Sequence, residues 1–131
     1  MNKDTPSASD KTCNPAVILF AHGSRDPLWR LPIEAVAAEI RHQQPDASVV
    51  CAYLELCTPS LLEAATQLVA QGAQRVKVFP LFFGVGKHAR EDLPVLMDEV
   101  RAAYPSVRVD LLPTAGEYAQ VTELMAKIAL S

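Results

Sequence analysis

The sequence predicts an α/β domain: a four-stranded parallel sheet in the order 2-1-3-4, with helices on both faces. Short β-rich apolar runs alternate with stretches of helical periodicity, in the order β-α-β-α-β-α-β-α. The first run is continuously apolar, as a strand covered on both faces is. Right-handed crossovers between parallel strands then leave few arrangements. In such a sheet a ligand binds beyond the carboxyl ends of the strands, at the switch point between strands 1 and 3.

Residues 1–15 are polar, rich in Ser, Thr, Asp and Pro, and read as a flexible N-terminal tail. A single domain follows over 16–131. Ala16 to Ala21 (AVILFA) is the first strand, and it stops at the turn-forming segment His22-Gly23-Ser24-Arg25-Asp26-Pro27. Ile33, Val36, Ala37 and Ile40 recur on one helical face. Pro32 suits that helix's first turn and Pro45 stops it; a start near Pro27 with a kink at Pro32 is the other possibility.

Ser48 to Leu54 is the second strand, with Glu55 at its end. Thr58-Pro59 offers a cap and a first-turn proline, and Ser60 to Glu63 has capping-box spacing. Leu61, Leu62, Ala65, Leu68 and Val69 make the inner face of this helix, and Gly72 is a natural stop. Val76 to Phe79 begins the third strand, and Pro80 ends its ladder on one side. Leu81 to His88 is apolar yet broken by two glycines, and reads as a loop. Glu91 and Asp92 fall in the first turn of the next helix, where the dipole favours acids. Leu93, Leu96, Met97 and Val100 are its buried stripe. Val107, Val109 and Leu111 alternate with Arg108 and Asp110, the pattern of a half-exposed edge strand. Val121, Leu124, Met125 and Ile128 mark a last amphipathic helix.

Composition narrows the function classes. The chain has 131 residues, 50% of them hydrophobic, with 12 Lys plus Arg against 15 Asp plus Glu and a formal charge of −3. No global basic field exists to hold nucleic acid or an anionic membrane. No apolar run approaches the ~18–20 residues of a membrane span. Cys13, Cys51 and Cys57 are an odd set without CxxC spacing, which fits neither a disulfide framework nor a closed zinc site. The first fifteen residues contain no apolar core of a secretory signal, so a reduced, cytoplasmic setting is expected.

The chemistry concentrates at the carboxyl rim. His22 follows strand 1 and His88 ends the loop after strand 3, so neighbouring strands present both imidazoles at one rim. Two neutral imidazoles facing one cleft can hold a divalent ion such as Fe, Co, Ni or Zn; the plainer alternative is that each caps a turn. Glu55 at the same rim could accept protons, or simply be a solvated loop acid. Arg25, Lys87 and Arg90 flank the histidines and would pair with carboxylates or phosphates, unless each is a lone surface cation. Ser24 adds a hydroxyl donor. Phe82-Phe83-Gly84-Val85-Gly86 suits a flap under a flat ligand, with at least one phenylalanine in the core. His42, near a helix C-terminus, complements the dipole. No GxGxxG follows strand 1, and no phosphate loop or GxSxG elbow is present. A histidine phosphatase wants arginine before the histidine, where Ala21 stands. A receiver domain wants an acidic cluster after strand 1, and none is there.

Three segments together resemble the CbiX/SirB-type sirohydrochlorin chelatases: Ala21 to Pro27, Tyr53-Leu54-Glu55 with Thr58 to Leu61, and Pro80 to Pro94. The likeness covers Ala16 to Ile128. It implies a flavodoxin-like, class II chelatase fold and insertion of Co, Fe or Ni into sirohydrochlorin toward cobalamin or sirohaem, cobalt being favoured. It implies that His22 and His88 bind the metal. Glu55 and the loop Phe83, Gly84, Val85, Gly86 and Lys87 would contact the tetrapyrrole, whose carboxylate rim suits Ser24, Arg25 and Arg90. It implies no cofactor beyond the metal substrate. Long family members carry two such domains in tandem, and a short form would pair as a homodimer around the substrate. A non-catalytic metal or tetrapyrrole carrier on the same fold is the competing reading.

Overall fold

A computed structural model describes residues 14–131. The expectations for residues 1–13, most of the tail and Cys13 among them, lie outside the described residues. Four parallel strands, β1 (Ala16–Ala21), β2 (Ser48–Tyr53), β3 (Arg75–Pro80) and β4 (Arg108–Leu111), form one sheet in the order β2-β1-β3-β4. Pairing begins at Pro15, whose carbonyl accepts the Ser48 N–H at 2.8 Å. The helices are α1 (Leu31–Gln43), α2 (Leu61–Ala70), α3 (Lys87–Ala103) and α4 (Ala119–Leu130). Short 3-10 turns at Pro27–Arg30 and Ala115–Glu117 precede α1 and α4.

Strand alternation assigns the two faces. One face buries Ile18, Phe20, Val76 and Val78 against Leu61 and Leu68 of α2 and Met97 and Val100 of α3. The other buries Leu19 and Val49 beneath Ala37, with Ile33 and Ile40 of α1 packed on them. Val36, read as part of the α1 inner face, points outward at 38% exposure. Pro27 does open a separate 3-10 turn, capped by the Asp26 carboxylate on Leu28 N–H at 2.9 Å, before α1 begins.

The Ser60–Glu63 capping box read from the sequence caps α2, and of the two caps on offer Ser60 prevails over Thr58: its hydroxyl accepts the Glu63 N–H at 3.2 Å while the Glu63 carboxylate takes the Ser60 N–H at 2.8 Å. That reciprocal pair satisfies two end groups at once and outcompetes Thr58-Pro59. Helix α3 begins at Lys87 behind a Gly86 cap, so Lys87 and His88 occupy its first turn and Glu91 and Asp92 fall beyond it. At the far end of α2, Gly72 takes φ +97° and Ala73 N–H returns to Leu68 O at 3.0 Å, the left-handed stop its glycine predicts.

The last helix is the main departure. Its apolar stripe is not core: Leu124, Met125 and Ile128 are exposed, and no residue of α4 is buried. The sheet explains why. Over β3 and β4 the face shared with α1 carries Arg75, Lys77, Arg108 and Asp110, which alternate with the buried Val76, Val78 and Val109. Asp110 sits between Arg75 at 3.4 Å and Arg108 at 3.1 Å. Hydrogen bonding to Arg108, and then to Arg75, holds its carboxyl below the usual range. A charged ladder of this kind offers an apolar helix no bed.

Candidate metal-binding rim

His22 is the first residue after β1, and the β1–β2 pairing continues past it. Leu54 N–H donates to Ala21 O at 2.9 Å and Glu55 N–H to His22 O at 3.0 Å. The next residue must be glycine. Gly23 has φ +104°, and a Cβ there would overlap the carbonyl oxygen of Glu55. His22 and Glu55 are therefore held side by side through their backbones. Both side chains are exposed. Leu56, beside Glu55, also takes a left-handed backbone (φ 69°), an uncommon conformation for a side chain of its size.

The second half of the rim is the Leu81–Gly86 segment. Phe82 is buried at 2% exposure, and its ring lies 4.4 Å from the His22 imidazole with 30° between the planes. Its other side meets Phe20 edge-on at 6.0 Å. Phe82 thus props one face of His22 and belongs to the segment that leads to His88. Of the two phenylalanines in the expected flap it is the core one: Val76, Val78, Pro80 and Phe82 continue one buried alternation straight through the strand end. Phe83 points the other way and is 71% exposed. Gly116 clamps this segment. Its N–H donates to Phe82 O at 3.0 Å, and a Cβ there would overlap the Phe83 carbonyl.

Gly84 and Gly86 have open space where a Cβ would stand, and Val85 is half-buried. Lys87, His88 and Arg90 are exposed on the opening turns of α3, and Arg25 is exposed after β1. The Ser24 hydroxyl accepts the Asp26 N–H at 3.1 Å, so its oxygen serves its own turn while its proton stays free to donate. Among the described residues no three His, Cys, Asp or Glu side chains converge to hold a metal ion.

Away from the rim, His42 and Arg41 lie in the last turn of α1. Cys51 and Cys57 are free thiols, both half-buried. Burial first, then the Glu34 charge, raises the Cys51 pKa, which leaves it a poor nucleophile. Burial also pushes the Tyr53 phenol up to about 12.

Comparison with known proteins gives a consistent result. The family model for CbiX matches residues 16–129. The sirohydrochlorin cobaltochelatase of Methanopyrus kandleri is 32% identical over 82 residues, which are 63% of this chain and 57% of that protein. The chain thus spans little more than half the length of that relative. The crystal structure of a CbiX protein from Marinobacter aquaeolei superimposes with a TM-score of 0.75 at 29% identity, covering 87% of this chain and 92% of that one. The sirohydrochlorin chelatase SirB from Bacillus subtilis subspecies spizizenii, solved with cobalt, superimposes at 0.71 with 25% identity, covering 88% of this chain and 51% of SirB.

Proposed function

Because the chain belongs to the CbiX family, we propose that it is a sirohydrochlorin chelatase, a lyase-class enzyme that inserts a divalent ion into the macrocycle. Cobalt is the favoured ion, with iron and nickel as the others, and the product feeds cobalamin or sirohaem synthesis. The metal is substrate, and no further cofactor takes part. One observation carries the reading: His22 and the segment that ends at His88 leave adjoining strands on the same rim, and Phe82 of that segment stacks on the His22 ring.

His22 and His88 hold the ion through neutral imidazole nitrogens, leaving positions for water and pyrrole nitrogens. Each insertion replaces two pyrrole N–H protons with one divalent ion, so two protons depart. Glu55, fixed beside His22 by its backbone, accepts them one after the other and passes each to solvent. The exposed Phe83 ring and the open glycines Gly84 and Gly86, with Val85 between them, lie under the macrocycle face. Ser24, Arg25, Lys87 and Arg90 meet its carboxylates. The protein acts in the cytoplasm as a homodimer. A single rim encloses little of a large flat ring, and the uncovered stripe of α4 gives a second copy an apolar surface to meet.

Mixing the protein with excess sirohydrochlorin and excess Co²⁺ tests this, with insertion followed by absorbance. Turnover well beyond one equivalent is expected, and His22→Ala and His88→Ala should each abolish it without lowering the melting temperature. A reaction that halts at one equivalent identifies a carrier instead. Wild-type rates in both variants would refute the two-histidine assignment.

A further inference from the structure

Strand β3 runs out of partners where the rim begins. On the β1 side the bonding ends with Leu81 N–H to Phe20 O at 2.7 Å, and on the β4 side with Leu112 N–H to Val78 O at 2.9 Å. Phe82 O lies beyond both ladders. Its donor comes from the short turn Ala115–Glu117 instead: Gly116 N–H, at 3.0 Å. The fit on the next residue is closer still, since any Cβ at 116 would overlap the Phe83 carbonyl. Gly116 therefore holds two consecutive carbonyls, one by a hydrogen bond and one by contact.

The turn is itself fixed at both ends. Thr114 is buried at 6% exposure, and its N–H and hydroxyl both donate to Glu117 Oε2, each at 2.9 Å. Just past the turn, the Tyr118 ring meets Phe79 of β3 edge-on at 5.7 Å. A bracket anchored on β3 thus reaches forward to the segment that leaves it. Phe82 carries that placement to His22, on which its ring stacks from below. His22 is otherwise exposed, and among the described residues no side chain hydrogen-bonds its ring. A surface imidazole in that state turns about its side-chain bonds, and ordering it costs entropy at the moment of binding. An apolar ring against one face limits the turning and does not compete for the nitrogen lone pairs.

We propose that the turn from Thr114 to Glu117 is a positioning element of the metal rim: Gly116 fixes the backbone of Phe82, and the Phe82 ring fixes the plane of the His22 imidazole. The proposal rests on reading His22 as a metal ligand. Gly116 and Phe82 touch neither metal nor macrocycle in it; they act only through His22. Alanine at 116 must push the Phe83 carbonyl away and lengthen the bond to Phe82 O, which turns the Phe82 ring relative to the imidazole.

Gly116→Ala, Phe82→Leu and the double variant test it, by proton NMR of the metal-free protein and by Co²⁺ titration without the macrocycle. The His22 ring protons, identified by their loss in His22→Ala, should lie upfield in the wild-type protein because of the Phe82 ring current. Each single variant should return them most of the way. Each should weaken Co²⁺ binding about tenfold, as the loss of a group that orients a ligand does. The double variant should be no weaker than either single one, because both act through one link. Gly72→Ala, at the far end of the sheet, should leave both readouts at wild-type values. If Gly116→Ala does not fold, Glu117→Ala loosens the same turn and should shift both readouts in the same direction. Unmoved His22 protons in a folded turn variant overturn the proposal. So does wild-type Co²⁺ affinity in both single variants, or a roughly hundredfold loss in the double one, which would mark two independent effects; the chelatase reading survives all three. Wild-type Co²⁺ affinity in His22→Ala overturns that reading's metal assignment and this proposal with it.

Discussion

Gly23 and Gly72 make a matched pair that isolates the contact holding His22 beside Glu55. Both have left-handed φ, at +104° and +97°. Alanine in that region costs roughly 1–2 kcal/mol, and about 0.4–1 kcal/mol of it is offset by the stiffer unfolded chain. At Gly72 nothing stands within 4 Å of the added Cβ, so Gly72→Ala should cost only that difference, about 1 kcal/mol. At Gly23 the same methyl overlaps the Glu55 carbonyl, and the two strands must part at the rim. Two ladder bonds, Leu54 N–H to Ala21 O and Glu55 N–H to His22 O, then weaken or break, at about 1 kcal/mol each. The total for Gly23→Ala is about 3 kcal/mol. For a domain of this length roughly 4 °C of melting temperature goes with each kcal/mol. Thermal melts followed by circular dichroism should therefore show a fall of about 4 °C for Gly72→Ala and about 12 °C for Gly23→Ala. Metal insertion below the melting range should fail in Gly23→Ala and persist in Gly72→Ala. Equal melting shifts in the two variants would refute the close approach at Gly23.

Two further outcomes follow from charge and exposure. With the folded-state pKa of Tyr53 pushed up to about 12, the protonated phenol's stabilisation is full below the unfolded value of about 10 and is lost as pH rises toward 12. Denaturant midpoints at pH 9 and pH 11 should therefore fall less in Tyr53→Phe than in the wild-type protein, and parallel falls would count against it. Leu124 and Ile128 are 57% and 64% exposed, so Leu124→Glu with Ile128→Glu should change monomer stability by no more than about 0.5 kcal/mol per site. The pair should convert a sedimenting dimer to monomer at micromolar concentration, and a wild-type protein that is already monomeric there would remove the helix from the interface.

The order β2-β1-β3-β4 could be read from the chain because it depends on local patterns. Continuous apolar runs, capped helices and right-handed crossovers each leave a mark in a short window of sequence. What escaped that reading depends on partners far along the chain. The start of α3 was set too late because its cap is Gly86, which has no side chain to announce it. The stripe on α4 was legible as amphipathic, but amphipathicity reports that a face wants cover and says nothing of what covers it. The answer lay in Arg75, Lys77, Arg108 and Asp110, whose shared face appears only once β3 and β4 are paired. The rim divides the same way. The histidines stood out as rare residues at strand ends, whereas Phe82 looked like core and is core, yet the same ring props His22. Gly23 and Gly116 are both required because a backbone carbonyl from another segment, of Glu55 in one case and Phe83 in the other, occupies the place of a side chain. A residue chosen for what it lacks gives no signal until the segment that needs the space is in position.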